Sequence, residues 1–186
     1  MPEQNWELLG SRVLVEHRIL RFEADRYRVA PSGNEADFVR MVSDDWVNIV
    51  PLTAERHVVM VRQYRHGIRR VTLEIPGGMV DADESPAAAG LREMRQETGY
   101  AAEQATSLGE IWPNPAILSN VCHFFLAEGV QYSGEPTPDS YEHIEVVLVP
   151  LSDIPRLIRE GEIRHALVIA AFAMMGVCAT PHGRSG

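Results

Sequence analysis

Residues 77–100, GGMVDADESPAAAGLREMRQETGY, gather Asp81, Asp83, Glu84, Glu93 and Glu97 into one loop and the helix that should follow it. Ser85 is a good N-cap with Pro86 at the first helical position, and Gly99 stands where a left-handed C-terminal residue belongs. The pattern therefore predicts a helix over 86–98. At about 100° per residue, Glu93 and Glu97 fall roughly 40° apart on one face, with Ala89 and Gly90 beside them one turn earlier. Ala87, Leu91, Met94 and Thr98 cluster opposite, and this second face is the one expected to pack on a sheet. A solvated face would follow Glu with Lys or Arg four residues on; Glu after Glu is mildly destabilising, and Gly90 costs about 1 kcal/mol inside a helix. A face that keeps both points to something approaching it closely. Two readings stand side by side: an acidic surface helix, or a pair of hard oxygen ligands for Mg²⁺ or Mn²⁺, ions that take one or two protein carboxylates and fill the rest with water and phosphate.

Outward from this segment, the first 45 residues alternate apolar and polar positions in SRVLVEHRILRFEADRYRVA and ADFVRMV, with APSGNEA as a turn, and predict an antiparallel β-meander. DWVNIVPL and HVVMVRQYR read as strands about TAERH, the second apolar enough to be central. VTLEI is a further strand ending at Pro76-Gly77-Gly78, where a sharp turn of the backbone is expected. VCHFFLAEGV and IEVVLVPL are two more, separated by the loop QYSGEPTPDSYE. Ser152-Asp153 should cap a short helix ending at Gly161, and RHALVIAAFAMMGVCA should form a largely buried one. Strands, one central helix, strands and two closing helices make an α/β (α+β) sandwich rather than alternating βαβ units. The organisation expected is residues 1–45 as a β extension, 46–180 as the main domain and 181–186 as a tail.

The chain has 186 residues, 45% hydrophobic and 23% charged, which suits one globular domain. With 26 acidic and 17 basic residues the net charge is -9, and no basic run is present, so nucleic acid is not the expected partner. All the basic residues are Arg, a side chain suited to bidentate phosphate contacts. No apolar run reaches the roughly 18 residues of a membrane span, and MPEQNWELLG is too polar for a signal peptide, so a cytoplasmic location is expected. Cys122 and Cys178 lack metal-ligand spacing and read as buried reduced thiols.

Gly78, five residues, Glu84, seven residues, then REMRQETGY from Arg92 to Tyr100 resembles the Nudix box, the loop-helix-loop signature of the Nudix hydrolases. The fixed positions match except at Gln96, where the family carries Glu, and Tyr100 serves loosely as the final apolar residue. VRQYRHGIRRVTLEIPGG, residues 61–78, resembles the approach to the box in the subgroup that hydrolyses ADP-ribose and related nucleoside diphosphate sugars, and the β-rich N-terminus is similar too. Pro115, 16 positions beyond Gly99, matches a proline of that subgroup.

The resemblance implies a Nudix-type α/β/α sandwich with a mixed sheet and an N-terminal antiparallel β extension. It implies metal-dependent cleavage of a diphosphate: ADP-ribose to AMP and ribose 5-phosphate, with another nucleoside diphosphate sugar such as GDP-mannose or ADP-glucose, or a non-catalytic ligand sensor, as alternatives. Glu93, Glu97 and the Gly77 carbonyl match metal-ligand positions for Mg²⁺ or Mn²⁺. Gly78, Glu84, Arg92 and Gly99 match structural positions of the box, with Arg92 expected to pair with Glu84. Glu142 is the expected base, ahead of Glu145. Arg65 would meet a diphosphate oxygen, Trp46 or Trp112 would stack the base, and Pro115 would line the substrate. A homodimer joined through the N-terminal extension is also implied.

Overall fold

The computed structural model describes residues 5–138 and 143–177. Two compact units emerge: residues 1–45 with 111–121, and residues 46–110 with the chain from 122 onward.

In the first unit β1 (Trp6–His17), β2 (Leu20–Val29) and β3 (Asn34–Val42) form an antiparallel sheet in the order β1-β2-β3, the meander expected from the alternation. Segment 111–121 joins this unit through backbone hydrogen bonds between Met41 and Ile117 and between Ser119 and Met41. Trp6, Tyr27 and Phe38 meet edge to face, with ring centroids 5.7–6.2 Å apart. Two acids of β2 are buried under arginine: Arg40 donates to Asp25 at 2.6 Å and to Glu23 at 2.5 Å, and Arg21 donates to Glu23 at 2.6 Å.

The second unit holds β4 (Trp46–Leu52), β5 (His57–Arg65), β6 (Arg70–Glu74), β7 (Gly77–Met79), α1 (Pro86–Thr98), β8 (Tyr100–Ala101), β9 (Thr106–Ile111), β10 (Cys122–Glu128), β11 (Gln131–Tyr132), β12 (Ile144–Pro150), α2 (Ile154–Glu160) and α3 (Ala166–Met174). Its mixed sheet runs β12-β5-β4-β10-β9, with β6 on β5 and β7 on β4, and β4–β10 is a parallel pair. Val47 to Leu52 are all buried, so β4 is covered on both faces. Val47 and Ile49 pack with Ala89 and Met94 of α1, and α3 also contacts β4. The result is the mixed α/β arrangement with three helices among the described residues.

Several sequence expectations need correction. The strand VTLEI ends at Glu74 as expected, and the chain changes direction and partner across Ile75 and Pro76; unexpectedly, Gly77 and Gly78 then lie in a strand of their own, β7, opposite Asn48 and Val47. The short strands β8, β9 and β11 had no clear alternation to announce them. Asp153 makes no side-chain cap for α2 and pairs instead with Arg156 at 3.0 Å, and α3 is shorter than RHALVIAAFAMMGVCA suggested. On α1 the buried arc comprises Ala89, Gly90, Met94, Glu97 and Thr98, while Ala87 and Leu91 are only half-buried. The small residues therefore face the sheet: a Cβ on Gly90 would meet Val47 Cγ2 at 3.2 Å, so glycine lets the helix sit close to β4. What approaches that face closely is the protein's own central strand.

Candidate active site

Helix α1 carries the acidic residues into the second unit, with its ends fixed as the sequence predicts. Ser85 Oγ accepts from the Ala88 N–H at 3.3 Å, and Gly99 adopts φ 73° while its N–H donates to the Arg95 carbonyl.

Arg92 is the hub. Its Nε and Nη2 donate to Glu84, the shortest contact being 2.5 Å, Nη2 also reaches the Met79 carbonyl at 3.2 Å, and Nη1 donates to Glu93 at 2.8 Å and to Gln96 Oε1 at 3.0 Å. One guanidinium thus ties loop 79–84 to the helix and orients Glu93. The bond from Arg92 holds the Glu84 carboxyl below its usual range against a smaller opposing effect of burial, and Glu84 in turn raises the Arg92 pKa. Gln96, the departure from the box pattern, spends its amide oxygen on the same arginine. Asp81 lies 3.7 Å from Arg92, and its carboxylate is mostly solvated.

Glu93 and Glu97 converge on β7. Glu97 is 2% exposed, and its Oε2 accepts from the Gly77 N–H at 3.3 Å. A Cβ on Gly78 would overlap the Glu93 carboxylate, and one on Gly77 would overlap the Val47 carbonyl and Asn48 Nδ2. The glycine pair lets a strand pass directly beneath two carboxylates. Among the described residues no group of three or more His, Cys, Asp or Glu side chains is gathered to hold a metal. Two carboxylates beside exposed backbone fit a hard divalent cation that completes its shell with main-chain oxygen, water and phosphate, which is the habit of Mg²⁺.

Beside these residues lies a cavity of about 560 Å³, whose wall includes Trp46, Asn48, Arg65, Met79 and His165. Arg65 Nε and Nη2 grip Glu74 at 2.9 and 2.6 Å, and Thr72 Oγ1 donates to Glu74 at 2.5 Å. Glu74 is wholly buried; burial alone would push its carboxyl up, but Arg65 and Thr72 outweigh it and hold the pKa below the usual range. His165 Nδ1 stands 3.8 Å from Glu74, and burial lowers the pKa of the imidazole. Sequence reasoning placed Arg65 here but missed Glu74 and His165. An acid in the otherwise apolar strand VTLEI was the available signal, because a buried carboxylate needs a partner.

Trp112 is 71% exposed and Pro115 is exposed, both in the first unit. Glu145 lies on β12 opposite Arg62, 3.7 Å from its guanidinium. Cys122 is buried and outside any disulfide, its thiol donating to Asn48 Oδ1 at 3.4 Å. Glu142 and Cys178 fall outside the described residues, as does the tail. No described helix is long and apolar enough to cross a membrane.

Known proteins bear on this arrangement. A NUDIX domain match spans residues 44–172. The chain is 33% identical over 121 residues to an ADP-ribose pyrophosphatase of Bacillus subtilis, covering 64% of this chain and 65% of that protein. It is 30% identical over 193 residues to an ADP-sugar pyrophosphatase of Mus musculus, covering 95% and 88%. A crystal structure of an ADP compounds hydrolase superposes with a TM-score of 0.84 over 95% of each chain at 22% identity, a likeness of fold. Members of such a family generally need a divalent metal, which agrees with the paired carboxylates over β7. The box geometry and the extent of these matches place the chain in the Nudix family, as an enzyme of its pyrophosphatase type.

Proposed function

We propose that this protein hydrolyses ADP-ribose to AMP and ribose 5-phosphate with Mg²⁺, and that Mn²⁺ can replace it. The observation that carries the reading is the Arg92 lock, which fixes Glu93 over Gly78 while Glu97 is fixed by the Gly77 N–H. The names of the two pyrophosphatase relatives support a nucleoside diphosphate sugar as substrate class.

Glu93, Glu97 and the Gly77 carbonyl would hold the cation. Bound there, it supplies neutralisation of diphosphate charge and a more acidic water. Arg65, held by Glu74 at the cavity wall, would orient a diphosphate oxygen and favour the charge that builds on the leaving phosphate. Trp46, half-buried in the same wall, would stack the base. Glu142 would take the proton from water as the P–O bond breaks, and a loop base would let closure exclude bulk water. Replacing Glu142 by Gln should lower kcat by about 10² to 10⁴ with modest loss of binding. A homodimer built on β1–β3 would cover the apolar side chains that this sheet exposes, Leu8, Val13, Val15 and Val39 among them.

The test is a panel of ADP-ribose, ADP-glucose and GDP-mannose with Mg²⁺, each product identified. AMP released fastest from ADP-ribose supports the reading. Faster cleavage of another member transfers it to that substrate.

A further inference from the structure

His165 precedes the first turn of α3 and lines the same cavity as Arg65 and Trp46. Its Nδ1 is sealed from solvent, has no hydrogen-bond partner among the described residues, and stands 3.8 Å from Glu74 Oε2. The side chain is nonetheless 33% exposed and lines the cavity, so with Nδ1 sealed it is the rest of the ring, the edge that carries Nε2, that is left to face the cavity. Burial, more than the opposing pull of Glu74, lowers the imidazole pKa, and the ring is neutral at pH 7. A neutral imidazole carries one proton. With the proton on Nε2, the Nδ1 lone pair would face the wholly buried Glu74 carboxylate; with the proton on Nδ1, the N–H dipole points at that anion. The second tautomer is the favoured one, and it leaves Nε2 as a pure acceptor. Arg65 and Arg164 are donors in this wall, Thr72 directs its hydroxyl to Glu74, and of the two imidazoles that line it, His66 and His165, it is His165 that stands beside the buried Glu74 carboxylate.

We infer that His165 is a specificity-determining residue whose Nε2 accepts a hydrogen bond from a sugar hydroxyl of the substrate, with Glu74 setting its tautomer. This rests on the nucleoside diphosphate sugar reading above. It gives Glu74 two tasks: holding Arg65 and fixing the direction of the His165 acceptor.

The test uses the full chain. Values of kcat/KM are measured for wild type, His165→Gln and His165→Leu on ADP-ribose, on the ADP methyl ester that lacks the second sugar, and on the 2′,3′-dideoxyadenosine analogue of ADP-ribose. His165→Leu should lose about tenfold on ADP-ribose, mostly in KM, and almost nothing on whichever analogue lacks the hydroxyl concerned. His165→Gln keeps an acceptor and should stay within about threefold of wild type. An equal loss on all three substrates would overturn the inference. In substrate-free protein, imidazole ¹⁵N shifts should show Nδ1 protonated; an Nε2–H tautomer overturns the inference independently of turnover. Wild type that cuts none of the three would instead overturn the functional reading, and the sugar assignment with it.

Discussion

Arg92 shows how much of the site depends on single side chains. Its guanidinium serves Glu84, Glu93, Gln96 and the Met79 carbonyl at once, a task for a planar fork and not for an ammonium. Arg92→Lys should therefore keep the charge and still lose metal affinity, measurable by calorimetric titration with Mg²⁺ or Mn²⁺. The pair also has a pH signature. Because Arg92 depresses the folded pKa of Glu84, its stabilisation is complete above the unfolded value of about 4.3 and fades as pH falls through the lower folded value. Urea unfolding of wild type and Glu84→Gln should differ by about 1 to 3 kcal/mol at pH 7, and the gap should shrink towards pH 3. A gap that does not shrink would mean that it does not come from the ionised Glu84 carboxylate. The members of this cluster were legible in the sequence because the helix period and the box spacing place them. Glu74 and His165 were not, because their meeting depends on how the β5–β6 hairpin lies against the start of α3, which no local pattern encodes. Arg65→Leu strands a wholly buried carboxylate and should cost about 3 kcal/mol, whereas replacing both Arg65 and Glu74 by leucine should cost less.

At the level of elements, the ends of α1 were readable from Ser85, Pro86 and Gly99, but its orientation was not. Periodicity showed two faces, and apolar bulk favoured the one with Leu91. Tertiary packing favoured Gly90, because a helix without a Cβ there comes closest to the valine-rich β4. Glu97 is buried as a consequence and finds its compensation in the backbone of β7. The two glycines of β7 make a sharp contrast. Gly77→Ala sets a methyl against the backbone of Val47 and should lower the thermal midpoint by several degrees. Gly78→Ala meets first the flexible Glu93 side chain, so the fold should survive while Glu93 is displaced and metal affinity falls. Calorimetry for the first and a metal titration for the second separate these outcomes; a stable Gly77→Ala would show that β7 is not pinned as described.

The molecule as a whole follows from burial of β4 and from the alternation of the first three strands. Both were visible in the sequence as an apolar run and a period of two. The return of segment 111–121 to the first unit was not visible, since it depends on main-chain bonds to Met41. The proposed dimer predicts twice the chain mass by light scattering, and charged substitutions at Val13 and Val15 should shift the protein towards the monomer. A monomeric wild type would sink that arrangement. Above all, Glu93 and Glu97, braced over two glycines, are proposed to support cleavage of a diphosphate. Phosphorus NMR of ADP-ribose with the protein and Mg²⁺ tests this directly. The coupled diphosphate signals should give way to those of AMP and ribose 5-phosphate, and chelation of the metal or Glu97→Gln should largely stop the change; a diphosphate that persists with Mg²⁺ and Mn²⁺ alike, or a Glu93→Gln/Glu97→Gln protein as fast as wild type, would refute the role of these carboxylates.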